Sequence, residues 1–176
     1  MSETFEAMLM GGHPNSLGRT MQVVEAVLAN PERFEELFCC YGSDDAVVRL
    51  RTSNALKRIE VARHDLFPPY IDRFVAEMGP LDQPSAQWTL AQLFDRLSTD
   101  LDPRQREAAT EIMKRNLVGY DDWIVLNATV ETLSKWAKAD ASLANWLRPH
   151  LERLARDVRK SVASRASRKL RSLDLD

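Results

Sequence analysis

The chain punctuates itself at a regular interval. Gly42-Ser43-Asp44, Gly79-Pro80-Leu81-Asp82 and Gly119-Tyr120-Asp121 each set a glycine two or three residues ahead of an aspartate, and the glycines stand 37 and 40 residues apart. Glycine accepts the left-handed backbone that closes a helix, and aspartate bonds the free N–H groups that open the next one. Each cluster therefore predicts a tight helix-to-helix turn. A helix pair of this size cannot hide its own apolar face, so recurrence of the unit constrains the fold: neighbouring copies must stack.

The segment after each turn recurs as well. The apolar series are Val48, Thr52, Ala55, Leu56, Ile59, then Ala86, Leu90, Leu93, Phe94, Leu97, then Val125, Thr129, Thr132, Leu133, Trp136, and finally Val162, Ala166, Leu170, Leu173. Steps of three and four give each segment one apolar stripe on a helix. The column Leu56, Phe94, Leu133, Leu170 is spaced 38, 39 and 37. The helix before each turn opens at Asn30-Pro31, Pro68-Pro69 and Asp102-Pro103, where proline is tolerated because its missing N–H has no partner in a first turn. Asp140 is placed to cap the first helix of the fourth unit, but Pro149 then falls mid-helix and predicts a kink or break. A helix over 17–29, capped by Asn15 or Ser16, precedes the repeats, and no segment alternates like a strand.

The run Asp44-Asp45-Ala46-Val47-Val48-Arg49 is similar to the Asp and Val-Arg signature at the start of the second helix of a HEAT repeat. With units of 37 to 39 residues, the chain resembles the HEAT/armadillo class of helical-repeat proteins, and distantly the HEAT-like DNA alkylation repair proteins. The position of Arg49 becomes Gln87, Leu126 and Ala163 in later units. The resemblance implies an all-α, right-handed α-α superhelix of about four hairpins plus an N-terminal helix. Residues 1–15 are then a linker and 16–173 a single helical-repeat domain, with the second helices lining a concave face.

Composition narrows the function classes. Two adjacent cysteines, Cys39 and Cys40, do not make a disulfide framework, and His13, His64 and His150 are too scattered to form a zinc pattern. The acidic start Met1-Ser2-Glu3-Thr4-Phe5-Glu6 and the lack of a long apolar run point to a cytoplasmic protein with no membrane span. The phosphate-loop, dinucleotide, metalloprotease and nucleophile-elbow patterns are not found, so no cofactor is expected and a non-catalytic role is favoured over an enzyme built from dispersed residues. Gly11 to Arg19 contains glycines but lacks phosphate-binding spacing, and reads as a linker ending in a helix cap rather than an anion loop. The pairs Asp44-Asp45 and Asp121-Asp122 sit at helix starts, where capping explains them better than acid-base catalysis.

Charge is uneven. Residues 1–147 carry 15 Lys+Arg and 22 Asp+Glu, whereas 148–171 carry nine basic residues and two acidic ones. A helix with Val158, Val162, Ala166 and Leu170 on its apolar edge leaves Arg159, Lys160, Arg165, Arg168 and Lys169 for solvent. Of the four tryptophans, Trp123 and Trp136 are assigned to packing and Trp88 to a position beside the stripe with part of its ring exposed. Two functions suit these features: a scaffold or binding module holding another protein on its concave face, and, as the alternative, a nucleic-acid binder using the basic terminal helix and Trp88. The basic helix reads first as a terminal cap that keeps the last repeat soluble, because no aromatic residue interleaves its charges to stack on bases, and the protein-binding role is preferred for the repeat and the lack of active-site patterns.

Overall fold

A computed structural model describes residues 3–13 and 15–173, and every regular element among them is helical. They form two compact units, 1–89 and 90–176, with helix Pro84–Arg96 giving its N-terminal half to the first and the rest to the second. No helix is long and apolar enough to cross a membrane among the described residues.

The first unit contains α1 (Phe5–Leu9), α2 (Thr20–Ala29), α3 (Phe34–Cys39), α4 (Ala46–Ala62) and α5 (Ile71–Arg73), which runs on into a π-helical turn, Phe74–Met78. Asn30 accepts the Glu32 N–H with Pro31 in the first turn, and Asp45 accepts the Val47 N–H at the start of α4. Both are local chemistry that the sequence announces. Phe34, Phe38, Phe67, Tyr70 and Phe74 meet edge-on or tilted, with centroids 4.7 to 6.4 Å apart. On one side of this cluster Arg73 lies over the Phe38 ring at 4.4 Å and binds Glu35, whose carboxylate also accepts from Tyr70.

Three features differ from the sequence reading. Residues 5–9, inside the stretch read as a linker, form a helix that buries Phe5 and Leu9 completely; at five residues its i, i+3, i+4 pattern is too short to stand out. Residues 9–13 and 15–18 wrap the guanidinium of Arg51, which is 1% exposed and donates to the carbonyls of Leu9 (2.7 Å), Gly11 (2.6 Å), His13 (3.1 Å) and Ser16 (3.1 Å). This stretch turns carbonyls inward around a cation, the reverse polarity of an anion loop. Accordingly α2 begins at Thr20, and neither Asn15 nor Ser16 caps it.

The repeat glycines also behave differently. Among the described residues only Gly11, Gly12 and Gly18 have positive φ; Gly79 is right-handed at φ −51°, and Gly119 is the last residue of a helix. At two of these turns an aspartate makes the cap, one residue later than expected, through Asp45 and Asp122.

The second unit holds the remainder of α6 (Pro84–Arg96), then α7 (Pro103–Gly119), α8 (Trp123–Ala137), α9 (Ala141–Leu154) and α10 (Lys160–Leu173). Asp102 and Gln105 make a reciprocal capping box on α7, Asp122 accepts from the N–H groups of Ile124 and Val125, and Asp140 accepts from that of Leu143. Pro149 does not break α9, which is continuous over Ala141–Leu154. The contacts establish two layers. In one, Thr132 bonds the Ala91 carbonyl and Lys135 pairs with Asp95, while Arg165 and Lys169 pair with Glu131 and Arg159 with Asp121, so α6, α8 and α10 run parallel. In the other, Arg153 donates to the Leu117 carbonyl and Lys114 lies over Trp146, so α9 runs parallel to α7. Between the layers sit Leu93, Phe94, Val125, Leu133, Leu147 and Leu151, all fully buried. Trp136, 4% exposed, packs there beneath the Arg106 guanidinium, 3.4 Å above its ring centroid.

Candidate functional site

The face made by α6, α8 and α10 in the second unit opens into a cleft of about 440 Å³, within the range of ligand pockets. Helix α6 contributes Gln92, Asp95 and Arg96; α8 contributes Trp123, Ile124, Asn127, Ala128, Glu131 and Thr132; α10 contributes Arg165. Asp122 caps α8 and so fixes where its first residue, Trp123, projects; the indole is 50% exposed and forms one wall. One turn along the same face stands Asn127, only 8% exposed, between the buried Leu126 and Thr129. Its carboxamide makes no hydrogen bond among the described residues, and Gln92 across the cleft makes none either. A carboxamide offers two N–H donors and an acceptor oxygen. The Asn127 amide atoms are not sealed from the cleft, and with no protein partner their donors and acceptor are open to whatever enters it.

Ion pairs frame the cleft. Lys135 holds Asp95 at 2.5 Å on one side, and Glu131 takes Arg165 at 2.8 Å and Lys169 at 2.6 Å on the other. Burial pushes Glu131 up, but the bonds from Lys169 and Arg165 outweigh it and hold the carboxyl below its ordinary value. Arg165 keeps one donor, its buried Nε–H, without an acceptor. A second depression of about 420 Å³ shares Glu131 and Arg165 with the cleft and also touches Lys138, Arg168, Lys169 and Ser172.

The basic helix is therefore less open than its sequence suggests. Arg159 is taken up by Asp157 (2.7 Å) and Asp121 (2.9 Å), and its bonds draw the Asp157 carboxyl down to about 2. Arg165 and Lys169 share Glu131, while Lys160 and Arg168 are exposed. Val158, expected on the apolar edge, is 96% exposed, because α10 begins only at Lys160. Trp88 belongs to the first unit, where it is partly exposed, lies 5.7 Å from the Lys57 ammonium, and lines an apolar groove with Val47, Leu50 and Pro84. Trp123, which the sequence reading assigned to packing, is instead half exposed in the cleft.

Among the described residues no group of three or more His, Cys, Asp or Glu side chains is arranged to hold a metal ion. Cys39 is exposed and bonded to Glu35, Cys40 is buried, and burial raises both thiols. No protein-family model matches the chain, and no curated protein matches it.

Proposed function

We propose that the protein is a binding module whose hairpins stack as a HEAT-like right-handed superhelix, and that the second-helix face of its second unit holds an extended segment of a partner protein. The observation that carries this reading is Asn127: a carboxamide with no internal partner, on a residue only 8% exposed, in a cleft wall beside a half-exposed tryptophan. A main-chain peptide group presents one N–H and one C=O, the complement of what a carboxamide offers, and the Trp123 ring supplies a flat apolar surface for a neighbouring side chain.

The stacking is supported inside each unit by contacts whose offset matches the repeat. In the second unit Asp121 meets Arg159 and Glu131 meets Lys169, each 38 residues on. In the first, Glu35 meets Arg73, again 38 residues on, and Gln83 bonds the Ala46 carbonyl, 37 residues back. The groove positions recur too. Ala46, Val47 and Leu50 correspond to Pro84, Ser85 and Trp88, and those to Trp123, Ile124 and Asn127, and all nine line a groove within their own unit.

A nucleic-acid role for this face is disfavoured by charge. Asp95 and Glu131 stand in the cleft, and three of the five nominated cations are committed to carboxylates. A library of short random peptides displayed on phage, selected on the full chain and counter-screened on Asn127→Leu, tests the proposal. Wild type should enrich defined sequences that the variant does not retain. The leucine should leave stability within about 0.5 kcal/mol of wild type, because it removes no bond inside the protein. Failure of wild type to enrich any peptide, or equal retention by Asn127→Leu, would overturn it.

A further inference from the structure

We infer that the segment held in this cleft is acidic, with its carboxylates seated at the end where α8 and α10 finish. The inference rests on the peptide-binding reading above and adds the partner's chemistry. The cleft is graded in charge along its length. Around Trp123 and Asn127 the lining charges balance, Asp95 and Glu131 against Arg96 and Arg165. Past Glu131, among the described residues, the lining sets Arg165, Arg168 and Lys169 against that carboxylate. Glu131 is placed between two cations, so it satisfies Arg165 and Lys169 only in part, and the Arg165 Nε–H still lacks an acceptor. Arg168 is exposed and carries no bond to the described residues.

An excess of positive charge confined to one end suits a ligand whose negative charge is local. A peptide with one or two carboxylates matches it, with a guanidinium binding each carboxylate by paired N–H donors. A nucleic-acid strand carries charge at every nucleotide and would have to run its phosphates past Asp95 in the balanced half. The same geometry thus selects against a polyanion and for an acidic side chain following a neutral stretch.

The experiment is fluorescence anisotropy on the full chain with three labelled probes: a peptide alternating Gly and Glu, its Gly and Gln analogue, and single-stranded oligothymidylate. The acidic peptide should bind roughly tenfold more tightly than the Gln analogue and lose that advantage as ionic strength rises. Arg168→Glu should weaken the acidic peptide by roughly tenfold, since an attraction becomes a repulsion, without disturbing a bond that holds the fold. Lys160→Glu, exposed but outside the cleft, should leave binding unchanged. If both peptides bind equally and Asn127→Leu abolishes both, the peptide-binding reading stands and the acidic preference falls. Should oligothymidylate bind as tightly with the same dependence on Arg168, the ligand is nucleic acid and the inference is wrong. If none of the probes binds, the inference and the reading beneath it fall together.

Discussion

Replacing Gly18 by alanine should cost far more than a glycine-to-alanine change at an exposed loop ordinarily does. Gly18 has φ +53°, and a side chain held there costs about 1–2 kcal/mol by itself. The added Cβ would also lie 2.8 Å from Cζ, 2.9 Å from Nη1 and 3.1 Å from Nε of Arg51. An arginine head normally swings away at little cost, but this one is 1% exposed and held by carbonyls of Leu9, Gly11, His13 and Ser16. Each bond from a charged donor contributes about 1.5–3 kcal/mol, and moving the guanidinium sacrifices one or two of them, partly offset by water reaching the loop carbonyls. The expected total is about 3–5 kcal/mol. Gly11→Ala is the control: φ is +71° but nothing lies within 4 Å of the added Cβ, so only the backbone cost of about 1–2 kcal/mol remains. Urea denaturation monitored by tryptophan fluorescence gives both values. In an Arg51→Met background, measured with a stabilising osmolyte, Gly18→Ala should shrink to the cost seen at Gly11. Equal destabilisation at the two glycines, or a difference that survives loss of Arg51, would refute the account.

Pro149→Ala should raise the melting temperature by an amount equivalent to about 1–3 kcal/mol, because it restores a missing N–H and relieves ring crowding inside an unbroken α9; a lower melting temperature would show that the ring does more in packing than in strain. Burial, reinforced by the nearby Arg153, holds His150 below its ordinary 6.5. A histidine depressed in the fold contributes stability that is complete above 6.5 and declines as pH falls from there towards the folded value, because the unfolded chain takes up the proton first. Stability should therefore decline as pH falls below 6.5, His150→Gln should flatten that slope, and the His150 proton resonance should titrate below 6.5; a midpoint at or above 6.5 would contradict the burial effect.

Local chemistry was the legible part of the fold. The members of the first three second-helix stripes, from Val48 to Trp136, are all buried, and Asn30, Asp102 and Asp140 cap the helices they precede. The glycine rule failed at Gly79 and Gly119 because a right-handed helix end needs no positive φ. The N-terminal stretch was opaque for another reason: Arg51 is satisfied by main-chain carbonyls, which every residue possesses, so no side-chain pattern announces them. The departure of Gln87 from the arginine at Arg49 proves conservative in action. Arg49 donates to the Ser43 carbonyl and Gln87 to that of Leu81, each six residues back, so both tie a helix to its preceding turn.

The site is legible in the repeat once the period is applied to polar residues as well as apolar ones. Adding 38 to Asp121 gives Arg159, and adding 38 to Glu131 gives Lys169, so the partners that draw the basic helix into ion pairs lie one repeat upstream. The column six residues before Leu56, Phe94, Leu133 and Leu170 reads Leu50, Trp88, Asn127 and Ser164. It borders a groove in both units, apolar around Leu50 and Trp88 and polar around Asn127. Leu90 and Phe94, or Thr129 and Leu133, are fixed by what they must hide from water, whereas Leu50, Trp88 and Asn127 stand at a groove edge, where packing constrains side-chain chemistry less. On the reading proposed above, the carboxamide at Asn127, which makes no bond inside the protein, is kept for a partner rather than for the fold.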